Sequence, residues 1–536
     1  MSARRSRMAI GGALLLVTLA FGAREPERAG LPSTTSVANE TSAIESAVVR
    51  FDLDTPIGRV GVEAIRARDL GDDEQRALRR LLSRIDETKR EALSRLEADA
   101  LLALAPLQAG HDSRDEAAGE AAVDAADATR SAVAAEPIGE SAMGEAASDE
   151  AEIDALLRSA PPVVTATSPP RELARHVLSL RARSAARSAR LARLHATIGV
   201  ERFVPPPEVE PAGPWPEVVA RAGSRTITDA DVESEARLGL FWLRSELVAR
   251  AAQAFASHAD ALLLAREAAA RGMTPEALTA VLGASAATPG DAAIDAELRR
   301  HGFAGDPRPE RRARARALVA FRAADAARVD LLARLRAHTP VMLLLVQPTP
   351  PRVAVAESRR VPGDPPVTLI AFTNLRCRVC AATNAVLDAI AAGPYARRVR
   401  VVRRPLFPEA ALPLLVDAAA EACAAEQGAG GALRRAVFSA GSGTGSSGAS
   451  AAALGAVPDR DRFSRCMADP RTRATVEAQR AEAEHLGFGE APGFLVNGLP
   501  LRGFQGQARL ESIIAAETSS PATPDAAPAS SHRRVP

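Results

Sequence analysis

Residues 366–372, Pro-Val-Thr-Leu-Ile-Ala-Phe, read as a β-branched strand, and they lead within five residues into Cys377-Arg378-Val379-Cys380 and an apolar-periodic helix over 381–392. This order constrains the fold and the chemistry together. A helix start places the first sulfur at the exposed end, beside unpaired N–H groups and the positive end of the dipole, while the second sits one turn inside. Cys377 is therefore the expected thiolate nucleophile and Cys380 the resolving cysteine. Arg376 and Arg378 flank the first sulfur and are expected to lower its pKa, which stabilises the reduced form. Two other readings of the pair stay open, an inert structural disulfide and metal ligation. A four-thiolate zinc site would want a second close pair, whereas Cys423 and Cys466 stand 43 residues apart.

The rest of the composition narrows the function classes. The 67 basic and 66 acidic residues leave a net charge of +1, so no global field draws the chain to nucleic acid. Lys89 is the only lysine, which excludes Schiff-base or P-loop lysine chemistry anywhere else. With 3% aromatic residues, the cores must be built from Ala, Leu and Val. Isolated histidines (His176, His195, His258, His301, His338) show no metal-ligand spacing, and no metal site is expected.

Arg4, Arg5 and Arg7 precede a 16-residue apolar run over 8–23, with small residues at Ala20 and Gly22. Residues 1–23 read as a secretory signal, or as an uncleaved anchor, and the remainder is expected in the periplasm or another extracytoplasmic, oxidising compartment. Residues 24–47 form a polar linker and 519–536 a Pro/Ala/Ser tail. Between 112 and 154, 13 acidic residues and two arginines lie in an Ala/Gly background, read as a disordered acidic insertion because burial there cannot offset the ordering entropy.

Around that insertion the chain repeats. Gly61, Ile65 and Asp69 match Gly223, Ile227 and Asp231 at an offset of 162, and Leu191-Ala192-Arg193-Leu194 matches Leu332-Ala333-Arg334-Leu335 at 141. Each copy opens with a short strand (59–65 and 218–227) and a helix start, with Asp72/Gln75 and Thr228/Asp231 as capping pairs. Leu78, Leu81, Leu82, Ile85, Leu93 and Leu96 share one helix face, with Lys89 opposite. Each copy ends in an Arg-rich helix (172–196 and 311–337), whose charges are expected to bind an acidic partner, to fold back onto the acidic insertion or to form a solvated face.

The doubled unit, spanning 48–210 and 214–352, resembles the helical amino-terminal domain of SurA-like periplasmic chaperones. The resemblance rests on the copy containing Val219-Ala220-Arg221-Ala222-Gly223 and Gly272-Met273-Thr274-Pro275-Glu276. It implies binding of unfolded or secreted polypeptide clients; a helical spacer is the other reading. Residues 362–516 resemble the DsbA-like thiol:disulfide oxidoreductases through Cys377/Cys380, the helical segment 423–428, Phe463 with Cys466, and Pro492 with Asn497-Gly498. That resemblance implies a thioredoxin fold with a helical insertion, Pro492 as a cis-proline facing the cysteines, and a membrane or soluble redox partner that recharges the pair. No cofactor beyond a redox-active Cys377–Cys380 disulfide is implied. Of three possible cysteine pairings, 377–380 with a structural 423–466 disulfide is favoured; two separately buried thiols at Cys423 and Cys466 are the alternative. Asn374, Leu375 and the Arg-Val pair between the cysteines depart from the family pattern, which leaves the direction of exchange open. The expected architecture is multidomain: a mainly α-helical amino-terminal half of two SurA-like units, then an α/β thioredoxin-fold domain. A non-catalytic chaperone or scaffold whose thioredoxin-like domain only binds is the competing function.

Overall fold

The computed structural model describes residues 51–109, 150–159, 170–205, 215–285, 289–303, 308–353, 365–408, 411–439 and 449–519. The signal, the linker and most of the acidic insertion lie outside these residues. Of the tail, only Ser519 is described, as the last residue of a helix.

The repeat appears first as two β-hairpins. Strands β1 (Pro56–Val60) and β2 (Glu63–Arg66) turn at Gly61, and β4 (Val218–Ala222) and β5 (Arg225–Thr228) turn at Gly223. Every β1–β2 partner pair recurs 162 residues later in β4–β5, including the irregularity after Pro56 and Val218. Each segment read as one strand is thus a hairpin. The glycines hold φ at +64° and +56°, a region side chains disfavour, so each chain reverses there.

Thr228 caps helix α4 (Asp229–Glu235) as expected, its backbone N–H donating to Asp231 at 2.8 Å and its hydroxyl accepting from the Asp231 N–H at 3.2 Å. The Asp72/Gln75 box does not form. Asp72 is already inside the long helix (Asp72–Ala109, α1), and the Gln75 amide donates instead to the carbonyls of Arg68 and Leu70. The carboxylate equivalent to Asp231 is Asp69, which accepts from the Arg66 N–H at 2.7 Å.

The two sequence copies do not fold as neighbours along the chain. Strand β3 (Val200–Arg202), which ends the first copy, pairs with β4 of the second, and β6 (Val341–Leu343), which ends the second, pairs with β1 of the first. Their registers match, Arg202 facing Ala220 as Leu343 faces Gly58. The spans 48–210 and 214–352 are therefore intertwined by strand exchange rather than separate in space. Helix geometry is the cause: α1 has 38 residues and its counterpart α5 (Arg237–Ala270) has 34, each long enough to run under both sheets. Leu78 and Leu81 of α1 join the core under β1 and β2, while Ala92 and Leu93 join Val219, Ala220 and Ile227 of the other sheet.

Lys89 does not lie opposite the leucines as expected: it stands four residues from both Ile85 and Leu93 and shares their side of α1, while Ser83, Glu87, Glu91 and Ser94 on the far side are exposed. Lys89 is buried, pairs with Asp229 at 2.5 Å and Glu233 at 3.3 Å, and lies 4.5 Å above the Trp215 ring. The carboxyl end of the acidic segment also folds: helix α2 (Glu150–Ser159) buries Ile153 against Ala174 and Leu178 of α3 (Pro170–Ile198), and Glu150 pairs with Arg171 and Arg175. Residues 150–154 thus have one apolar anchor that the surrounding composition lacks. Helices α6 (Pro275–Ser285), α7 (Asp291–Arg300) and α8 (Pro309–His338) complete the helical part.

The remaining residues form a four-stranded sheet, order β10-β9-β7-β8. Strand β7 (Val367–Thr373) is central, parallel to β8 (Val399–Pro405) and antiparallel to β9 (Gly493–Val496), which turns through Asn497-Gly498 into β10 (Leu499–Arg502). Both turn residues have positive φ, 48° and 82°, as a two-residue Asn-Gly hairpin requires. Helix α9 (Arg378–Ala392) crosses from β7 to β8, five helices α10 (Leu412–Ala425), α11 (Gly430–Ser439), α12 (Ala449–Ala456), α13 (Arg460–Ala468) and α14 (Pro470–His485) fill the span before β9, and α15 (Gln507–Ser519) closes the domain. Alternate residues of β7 serve two cores: Leu369 and Ala371 face Leu387 and Ile514, whereas Ile370 and Phe372 share a cluster with Leu238 of α5. The sheet domain is therefore packed on the helical part. Among the described residues, no helix is long and apolar enough to cross a membrane.

Candidate redox site

Strand β7 ends under the cysteine pair, and the loop between them is held by one side chain. The Asn374 amide donates to the Leu406 carbonyl at 3.0 Å and its oxygen accepts from the Arg376 N–H at 3.1 Å, tying the end of β7 to the end of β8 and fixing the turn into α9. Cys377 is the N-cap residue of that helix. Its sulfur accepts from the Cys380 N–H at 3.0 Å, the contact that stabilises a thiolate at this position once the pair is reduced. Cys377 is half-buried and Cys380 fully buried, and the two are joined as a disulfide with Cα atoms 5.1 Å apart.

Opposite the pair, the Ala491–Pro492 peptide bond is cis. The Cys377 sulfur lies 3.7 Å from the Ala491 carbonyl oxygen, so the proline loop and the first cysteine meet directly. Two influences thus oppose each other at one atom: the Cys380 N–H favours the anion, and the Ala491 carbonyl accepts from, and so favours, the protonated thiol.

The flanking arginines part ways. Arg378 is exposed at the first position of α9. Arg376 reaches instead into the helical insertion, its Nε donating at 2.6 Å to Asp417, a buried carboxylate that also accepts from the Ala449 N–H. Burial raises the Asp417 pKa, with Arg376 pulling against that rise. The Arg376 charge is consequently matched by a carboxylate of α10 rather than directed at the sulfur alone. Asn374 stands in the sequence only as a departure from a family pattern, and Asp417 has no local signal because it sits 41 residues from its partner.

Behind the site, the Arg403 guanidinium donates to Asp388 at 2.7 Å, and burial followed by the neighbouring Arg434 lowers the Arg403 pKa. Cys423 and Cys466 form the second disulfide, Cα atoms 5.7 Å apart, joining α10 to α13 within the cluster of Leu375, Ala420 and Phe463.

Residues 359–516 match the thioredoxin family model. The C-terminal part of the chain is a thioredoxin-fold domain, with the four-stranded sheet and helical insertion described above. Among solved structures, the chain is similar to a thioredoxin-like oxidoreductase from Silicibacter pomeroyi, at 23% identity over 30% of this chain and 90% of that one, TM-score 0.26. It is also similar to alpha-DsbA1 from Wolbachia pipientis (17%, covering 29% and 87%, TM-score 0.25) and to the oxidoreductase DsbA from Xylella fastidiosa (20%, covering 30% and 93%, TM-score 0.25). No curated protein matches the chain.

Proposed function

We propose that this protein is an extracytoplasmic thiol:disulfide oxidoreductase of DsbA-like type, acting on cysteines of unfolded or secreted polypeptides. The observation that carries the reading is the Cys377 sulfur, half-exposed at a helix N-cap, 3.7 Å from the carbonyl that precedes a cis proline, with Cys380 buried behind it. In the oxidising direction, a client thiolate attacks the Cys377 sulfur, the Cys377–Cys380 bond breaks, and Cys380 leaves as a thiolate that takes up a proton. A second client thiolate attacks the client sulfur of the mixed disulfide and releases Cys377 as the anion its N-cap position stabilises. The client loses two electrons and the cysteine pair gains them. A redox partner, membrane-bound or soluble, then reoxidises the pair. The reverse sequence reduces a client disulfide.

The helical part is assigned the holding of clients, in line with its SurA-like sequence features. Phe321 (68% exposed) and Met342 (55% exposed) support that role as large apolar side chains left uncovered on α8 and β6. A client held there meets Cys377 at a raised effective concentration. Refolding of a reduced two-disulfide substrate tests the reading: wild type is expected to raise the yield of native product, and Cys377→Ser to abolish the gain. Equal yields would leave the domain a binding module.

A further inference from the structure

The loop that brings Ala491 to the sulfur is not supported by the thioredoxin-fold domain alone. Ala491 shares one apolar cluster with Phe372, Phe488 and Leu486 of that domain and with Leu238, Phe241 and Trp242 from the first turns of α5. Phe488 stacks on Phe372 with ring centroids 4.6 Å apart, and its N–H bonds the Ala483 carbonyl at 3.0 Å. The loop's other hold is on the helical part. Gly487 adopts φ +78° and lies so close to Gly239 that a Cβ built on it would stand 3.3 Å from the Gly239 nitrogen. Arg502 donates to the Gly487 carbonyl while its guanidinium lies 4.7 Å above the Trp242 ring. Partial burial, and Arg84 beside it, bring the Arg502 pKa down to about 10, although the residue keeps an exposed edge. On the far side of the proline, the Gly503 N–H donates to the Pro492 carbonyl at 2.9 Å, which joins β10 to the same loop.

We infer that Trp242, with Leu238 beside it, is a positioning residue for the redox site: through Arg502 and the 486–491 loop, the helical part sets where the Ala491 carbonyl stands relative to the Cys377 sulfur. The inference rests on Cys377 being the reactive sulfur. An aromatic face attracts a guanidinium stacked on it, and this contact holds Arg502, and through it the Gly487 carbonyl, from outside the domain. Loosening it lets the Ala491 oxygen move off the sulfur. The thiol then loses its acceptor, while the Cys380 N–H remains to favour the thiolate, so the Cys377 pKa falls. Coupling of this kind is reciprocal: a change of redox state at Cys377 must also be felt at Trp242.

The test is the pH dependence of Cys377 alkylation in the reduced full-length protein, read peptide by peptide with a small haloacetamide and without any client. Trp242→Ala is expected to lower the midpoint by about half a unit, which makes alkylation below the midpoint about threefold faster, and Trp242→Phe to restore most of the wild-type value. Arg502→Gln, which removes the other half of the stack, gives the same shift and serves if Trp242→Ala does not fold. The chain has two tryptophans, so the part of the emission that changes on reducing Cys377–Cys380 is expected to vanish in Trp242→Phe. An unchanged midpoint in folded Trp242→Ala or Arg502→Gln overturns the inference. Neither measurement involves a client, so a protein that fails to assist refolding yet shows the shift loses the proposed function and keeps this coupling.

Discussion

Arg376 donates to Asp417 at 2.6 Å, so the residue just before Cys377 anchors the helical insertion. Asp417 is 5% exposed and Arg376 33%, which makes this a largely buried pair with a desolvated acid. Arg376→Met is expected to destabilise the domain by about 3 kcal/mol, because an acid left buried without its partner costs more than the pair returned. The acid's folded pKa is raised, so its ionised form disfavours folding, and that cost is felt above the folded pKa and shrinks as pH falls toward the ordinary carboxylate value. Denaturant melts at several pH values should show the variant's deficit shrinking on the acid side. In alkylation profiles, the exposed Arg378 is the better candidate for tuning, and Arg378→Met should move the Cys377 midpoint further than Arg376→Met.

Lys89 closes a buried network between the exchanged copies. Lys89→Met leaves Asp229 and Glu233 short of a cation and is expected to cost about 3–5 kcal/mol, measured by urea unfolding. In the wild type, burial pushes the Glu233 pKa up, but Arg244 and Lys89 outweigh it and hold the value below 4.5. The folded pKa is depressed, so this group's contribution is complete above pH 4.5 and fades as pH drops through the folded value. A stability profile that stays flat from pH 6 to about 3 in both proteins would contradict the network.

Strand exchange can be tested at Gly58, where an added Cβ would run into the Phe255 ring of α5 from the other copy. Gly58→Ala is expected to lower stability by about 1–3 kcal/mol through overpacking. Gly283→Ala is the control: nothing lies within 4 Å of that position on α6, and alanine there should be neutral or stabilising by about 0.5–1 kcal/mol. Equal behaviour of the two substitutions in thermal melts would argue against β1 packing on α5.

Removing the second disulfide with the paired substitution Cys423→Ala and Cys466→Ala reopens a link across 43 residues. Chain entropy gives a cost of about 4 kcal/mol at most, and about 2 kcal/mol is expected once the close-packed insertion is counted. The alkylation midpoint of Cys377 should stay where it is, since this staple lies in the helical insertion; a shifted midpoint would show that the insertion communicates with the site.

Local chemistry wrote much of this protein plainly. The strand before Cys377, the helix it caps, the Asn497-Gly498 turn and the recurring Gly61 and Gly223 are each dictated by residues within a few positions, through β-branching, periodicity and the freedom of glycine at positive φ. The same repeat that reveals two copies cannot say which copy's sheet a closing strand joins, because Val200–Arg202 and Val341–Leu343 meet nearly equivalent edges. Only the tertiary structure decides that, through two helices long enough to pass beneath both sheets. It likewise gives Lys89, on the leucine side of its helix, two carboxylates from the other copy, gives Arg376 a partner far along the chain, and sets Trp242 against the loop that carries Ala491. A sequence reports which groups can ionise, pair or turn, but the charge a group meets and the water it loses depend on what packs against it.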